Sequence, residues 1–97
     1  MYAVITRVLV EPGSIDEIAA LFDETNRALV AGYADWQGAW FTANRETNEI
    51  TVIARWTDPA SYARLRESDD FQQVMSRFAN QFVGPPNVSV NEVLVEM

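Results

Sequence analysis

Apolar residues occupy both alternating faces of the strand-like segments in this chain, and this pattern limits the possible folds more than any other feature. In the segment ITVIARW, residues 50–56, one face is wholly apolar and the other contains Ile53. The segments 2–10 and 88–95 are also apolar on both sides. Because successive side chains of a strand point to opposite faces, a sheet built from these segments needs cover on both of its faces.

Helices between these strands can supply only part of that cover. An apolar stripe at helical spacing begins after the first strand, where Ser14 and Glu17 form a capping box. Asp58 before Pro59, and Ser68 before two aspartates, mark two further helix starts. The elements run in the order strand 2–10, helix 15–31, strands 35–43 and 49–56 as a hairpin, helix 59–67, helix 69–83 and strand 88–95.

This β-α-β-β-α-β order predicts a fold of the α+β class, the ferredoxin-like split β-α-β arrangement. It has a four-stranded antiparallel sheet with helices on one face. The chain of 97 residues fits a single domain, residues 1–97. A second copy of the sheet is the simplest cover for the other apolar face, so we predict a homodimer packed through the sheet.

Composition excludes several functional classes. The chain has no His, Cys or Lys, so it can form no disulfide, thiolate nucleophile or histidine-bound haem, and carboxylates are its only strong metal ligands. Fourteen acidic residues against seven scattered arginines give a net charge of -7, which disfavours nucleic acid and anionic membranes as partners. Arg7 interrupts the apolar N-terminus, so we expect neither a signal peptide nor a membrane span, and a cytoplasmic protein.

Several short motifs are similar to those of one known family. They are the VLVEPGS end of the first strand, the WQGAWF second strand, a third strand that ends in tryptophan, and SDDF at the start of the last helix. With them the chain resembles, over about residues 2–95, the antibiotic biosynthesis monooxygenase family of dimeric α/β barrels. The resemblance implies that fold, with a pocket between sheet and helices. Fold alone does not choose a reaction, because the family includes quinol and anthrone oxygenases as well as haem-degrading enzymes.

Residues at single positions narrow the choice among the reactions of the family. Trp56 matches the family's strand-ending tryptophan, and Tyr62 matches a tyrosine six positions later in the polyketide-oxidising members. Val52 stands where those enzymes have an asparagine, so that role is unfilled. Leu65 stands where haem-degrading relatives have an iron-binding histidine, and Thr6 where they have an asparagine. The resemblance therefore implies no haem, and we expect no other cofactor and no metal.

A monooxygenase without a cofactor needs a substrate, such as an anthrone or quinol, that can itself lose a proton and donate an electron to dioxygen. The protein then supplies a dry aromatic slot and hydrogen-bond donors for the developing phenolate or enolate. We predict Trp56, Tyr62 and Arg77 as the catalytic groups. The predicted wall of the substrate pocket contains Thr6, Trp36, Trp40, Val52, Leu65, Arg66, Phe78 and Phe82.

Each of these assignments has a plainer alternative. A large aromatic residue that faces helices often belongs to the core, and arginines are often solvated. Trp36 and Trp40 are an even number of residues apart and should share a face, which is either that of the helices or that of the partner. The predicted function is cofactor-independent oxidation of an electron-rich aromatic small molecule with dioxygen. The alternatives are a non-catalytic ligand-binding or accessory module, and a polyketide cyclase or isomerase.

Overall fold

The computed structural model describes residues 1–97 and contains one antiparallel sheet with its helices on one face. The strands are β1 (Tyr2–Leu9), β2 (Trp36–Asn44), β3 (Glu49–Trp56) and β4 (Asn87–Glu92), in the spatial order β2-β3-β1-β4. The helices are α1 (Ile15–Val30), α2 (Pro59–Glu67) and α3 (Asp69–Phe78), followed by a 3-10 turn at Ala79–Gln81. The predicted α+β, ferredoxin-like fold is confirmed. None of the helices has the length and apolar character needed to cross a membrane.

Side chains at the helix starts satisfy backbone N–H groups that the helices leave free. Asp58 accepts a hydrogen bond of 2.9 Å from an N–H of the first turn of α2, and Pro59 occupies the first helical position. Ser68 accepts one of 3.2 Å and begins α3. The capping box expected at Ser14 is wrong. The backbone of Ser14 is already helical, and its hydroxyl donates to the carbonyl of Glu11 at 2.6 Å.

A β-bulge near the start of β2 changes the direction of its side chains. The register pairs Trp36 with Trp56 but Gly38 with Arg55, so β2 has one extra residue at this point. Trp36 therefore packs beside Trp56 under the helices, whereas Trp40 is 60% exposed on the opposite face of the sheet. The expectation that Trp36 and Trp40 share a face is wrong, because the extra residue shifts the alternation.

The apolar core lies between the sheet and the helices. One cluster contains Val8, Val10, Ile15, Ile18, Ile50 and Phe78, and a second contains Val4, Val30, Trp56 and Leu65. Trp56, at 1% exposure, is the largest fully buried side chain. The opposite face of the sheet has no such cover within the chain, and Leu9 on that face is 47% exposed. The core therefore occupies one side of the sheet only.

Candidate functional site

A cavity of about 350 Å³ lies between the helix-facing side of the sheet and the helices. It is lined by 23 residues, of which 18 are hydrophobic. Polar groups of the wall belong to Thr6, Asn26, Tyr62, Arg66 and Gln72, and Arg66 is the only charged residue of the wall. A mostly apolar cavity of this size with a few polar groups is typical of sites that bind a small organic molecule.

Trp56 lies at the end of β3, in contact with three other aromatic rings. Its ring centroid is 5.3 Å from that of Trp36 and 5.8 Å from that of Tyr33, both in edge-to-face geometry, and 6.1 Å from that of Tyr62. These arrangements are favourable for aromatic pairs and fix the orientation of the indole. Trp36 and Tyr62 line the cavity together with Trp56, whereas Tyr33 does not. The rings thus form one aromatic end of the cavity.

The indole N–H of Trp56 has no hydrogen-bond acceptor. Its Nε1 atom is closed to solvent and has no partner in the protein. A buried donor left without a partner costs about 1–3 kcal/mol. Because the indole nitrogen can only donate, only an acceptor would recover this energy, and an oxygen of a ligand reaches the nitrogen once the side chains that close it to solvent move aside.

The polar side of the cavity is formed by α2 and the start of α3. Burial raises the pKa of the Tyr62 phenol, while the positive charge of Arg66 opposes that rise. The raised pKa keeps the hydroxyl protonated at neutral pH, so Tyr62 is suited to donate a hydrogen bond rather than to act as a base. Gln72 donates from Nε2 to the backbone carbonyl of Arg66 at 3.1 Å and thereby joins the two helices.

A hydrogen-bonded cluster holds the chain just beyond Trp56. The carboxylate of Asp35, which precedes β2, accepts hydrogen bonds from the hydroxyls of Ser61 and Thr57. Both bonds lower the pKa of Asp35, and the bond from Ser61 has the larger effect. The guanidinium of Arg64 donates to the Ser61 hydroxyl oxygen at 2.9 Å. The cluster connects the end of β3 and the first turn of α2 to the start of β2, and so helps to fix the position of Trp56.

Most of the residues predicted for the site lie at this one cavity. Those that line it are Thr6, Trp36, Val52, Trp56, Tyr62, Leu65, Arg66, Phe78 and Phe82. Trp40 does not, because the bulge turns it to the other face, where the guanidinium carbon of Arg55 is 5.4 Å from its ring centroid. Arg77 also lies outside the cavity, since the rotation of α3 between the lining residues Met75 and Phe78 turns it to solvent.

The sequence pattern did not reveal two polar lining residues, Asn26 and Gln72. Asn26 lies on α1 four residues after Phe22, and Gln72 lies on α3 three residues before Met75, so both continue an apolar helical stripe. A polar residue inside such a stripe is the signal that could have identified them. Phe22 and Phe41, with ring centroids 4.9 Å apart, add an aromatic pair to the wall that was also not predicted.

The model of the antibiotic biosynthesis monooxygenase family matches residues 1–77 of the chain. The chain belongs to this family. The family resemblance seen in its sequence motifs is therefore confirmed. A search of curated proteins finds no match.

Several solved structures are similar to this member of the antibiotic biosynthesis monooxygenase family. A candidate antibiotic biosynthesis monooxygenase from Bordetella bronchiseptica is 22% identical, with a TM-score of 0.84 and 97% of each chain covered. A mutant of SnoaB from Streptomyces nogalater, described as a cofactor-independent oxygenase, is 18% identical, with a TM-score of 0.81 over 99% of this chain and 95% of SnoaB. Rv0793 from Mycobacterium tuberculosis is 18% identical, with a TM-score of 0.78 over 98% and 96% of the two chains. These structures share the fold of the family member described here.

Proposed function

We propose that this protein is a cofactor-independent monooxygenase that oxidises an electron-rich aromatic molecule, of the anthrone or quinol type, with dioxygen. One observation carries the proposal: the buried and unpaired indole N–H of Trp56 lies at the aromatic end of a largely apolar cavity. Membership of a monooxygenase family and the fold shared with SnoaB, described as a cofactor-independent oxygenase, support it.

In such a reaction the substrate supplies the electrons. The substrate loses a proton to solvent, because the cavity wall contains no carboxylate to take it, and its anion reduces dioxygen by one electron. Recombination of the two radicals forms a carbon–oxygen bond, and the resulting peroxide takes up a proton and loses water to leave a carbonyl. The CH₂ group of an anthrone and O₂ thus become C=O and H₂O. The protein has two tasks, to stabilise the substrate anion and to keep bulk water away from it.

Trp56 and Tyr62 are suited to the first task. Each can donate one hydrogen bond to the substrate oxygen on which negative charge grows as the proton leaves, the indole after the side chains that close it to solvent move aside. A hydrogen bond to a charged oxygen contributes about 1.5–3 kcal/mol where water is excluded. Apolar wall residues such as Val52 and Phe78 are suited to the second task, because they leave little polar surface for water to bind.

Oxygen uptake by the purified, metal-free protein, measured with a panel of anthrones and hydroquinones, tests the proposal. Trp56→Phe and Tyr62→Phe should each reduce kcat/KM at least ~10-fold, which corresponds to about 1.4 kcal/mol of transition-state stabilisation. Tyr33→Phe is the matched control, since that phenol lies next to Trp56 but outside the cavity. Uptake no faster than the spontaneous oxidation of every substrate would refute the proposal.

One feature of the cavity favours a second candidate, a non-catalytic module that binds an aromatic ligand. The wall is hydrophobic at 18 of its 23 residues, and Val52, one of them, offers no hydrogen-bonding group to a reacting substrate. A binding module would take up the same aromatic molecules, as measured by calorimetry, without consuming oxygen. Calorimetry and oxygen uptake on one panel therefore separate the two candidates.

We further propose that two copies pair through the sheet face opposite the helices. Leu9 and Trp40 expose large apolar surfaces on that face. Sedimentation at micromolar concentration should give a dimer. A stable species of 10.9 kDa would contradict this pairing.

A further inference from the structure

The cavity has a single charged wall residue, and its charge is opposite in sign to that of the whole protein. Arg66 is that residue, in a chain with a net charge of -7. The ion pairs of the structure join Arg27 to Asp23 and Arg45 to Asp16, so no carboxylate of the chain forms an ion pair with Arg66. A guanidinium without a carboxylate partner at the edge of an apolar cavity is suited to bind an anionic group of a ligand.

Arg66 also marks the place where the cavity meets a groove on the surface. Tyr62, Arg66 and Gln72 line both the cavity and this groove. The charged group therefore lies at the mouth, while the aromatic rings lie deeper, around Trp56. An elongated ligand can place an aromatic body inside and a polar end at the mouth.

Other groups at the mouth define which anion fits. The exposed guanidinium of Arg66 offers several donors to one small anionic group, while the single O–H of the half-buried Tyr62 is left for the substrate oxygen beside Trp56. Glu67 also lines the groove and places a negative charge there. That charge repels a group with several negative charges, such as a phosphate, more strongly than a single carboxylate, so a carboxylate is favoured.

We propose that the molecule bound in this cavity is an aromatic carboxylic acid, with its rings at Trp56 and its carboxylate on Arg66. This specifies the substrate class of the proposed oxygenase. It rests on that function only in calling the bound molecule a substrate, because binding of the acid does not require oxygenase activity. The carboxylate anchors one end of the molecule, so that the opposite end of the ring system reaches the indole N–H.

Calorimetric binding of two inert probes of matched shape tests the anchor. Anthraquinone-2-carboxylate should bind about 10-fold more tightly than the neutral anthraquinone-2-carboxamide, and this preference should weaken with added salt. Arg66→Gln should abolish the preference by weakening carboxylate binding more than carboxamide binding, while Arg66→Lys should retain part of the preference. Arg77→Gln, which removes an arginine outside the cavity, should retain it fully. Circular dichroism checks that each variant is folded.

Three results would overturn the anchor: equal binding of both probes, a preference that persists in Arg66→Gln, or one that disappears in Arg77→Gln. Oxygen uptake with a quinol that lacks a carboxylate is measured separately. Uptake without a carboxylate preference would overturn the anchor alone. An Arg66-dependent preference without uptake on any substrate would support the anchor and refute the oxygenase.

Discussion

Replacing Trp56 by phenylalanine tests the unpaired indole N–H through the stability of the fold. The substitution removes the N–H and carbons of a side chain that is 1% exposed, while an aromatic ring remains against Tyr33 and Trp36. The lost apolar burial costs roughly 1.5 kcal/mol. The void left behind costs roughly 1 kcal/mol more, and the looser ring pairs add about 0.5 kcal/mol.

Loss of the N–H acts in the opposite direction. In the unfolded chain this donor is hydrated, but in the folded protein it has no acceptor, so its removal relieves about 1–3 kcal/mol. The two contributions largely cancel. We expect Trp56→Phe to lower the free energy of unfolding by only ~0–2 kcal/mol.

Urea unfolding, followed by far-ultraviolet circular dichroism at fixed protein concentration, measures the change. Phe78→Leu is the matched control, since Phe78 is 4% exposed, lines the same cavity and loses the same number of heavy atoms without releasing a polar group. It should cost ~2–3 kcal/mol, more than Trp56→Phe, with the same m value. If Trp56→Phe costs as much as Phe78→Leu or more, the indole N–H is satisfied in the folded protein and the reasoning fails.

Two further predictions concern the surroundings of Trp56. The hydrogen bond from Ser61 lowers the pKa of Asp35 below its ordinary 3.8, so this bond stabilises the fold above that pH and loses its effect as the pH falls through the folded-state pKa. Ser61→Ala should therefore lower the urea midpoint at neutral pH, with a difference that shrinks in acid; a difference independent of pH would contradict this. Gly38→Ala should cost about 1–3 kcal/mol in the same assay, because φ is +123° and the new Cβ would lie 3.3 Å from Nη2 of Arg55. Gly32→Ala, which meets no atom within 4 Å, is the control and should be nearly neutral.

The fold could be predicted from the sequence because its signals are local and agree with one another. Asp58 with Pro59, and Ser68, mark helix starts by side-chain chemistry that operates within one turn. Runs of β-branched and apolar residues on both faces of β1 and β3 predict strands, and these strands pair along their whole length. The aromatic end of the cavity could be predicted as well, because Trp56 ends a strand whose alternate residues face the helices.

The parts that could not be predicted depend on which face of a strand or helix each side chain occupies. One extra residue beside Gly38 reverses the alternation of β2 and moves Trp40 to the other face, and only the backbone reveals this insertion. On α3, one residue corresponds to a rotation of about 100°, which is enough to exchange Arg77 for its neighbours at the cavity wall. The same uncertainty concealed Asn26 and Gln72, whose polar side chains suggest solvent until the helix is placed.

The bulge in β2 also places two tryptophans of one strand on different surfaces. Trp36 contributes to the ligand wall and Trp40 to the outward surface, although only a few residues of chain lie between them. With regular alternation Trp36 and Trp40 would lie on one face. With the bulge, one short segment contributes an aromatic ring to the cavity and another to the outward surface. A single inserted residue thus gives one strand two different recognition surfaces.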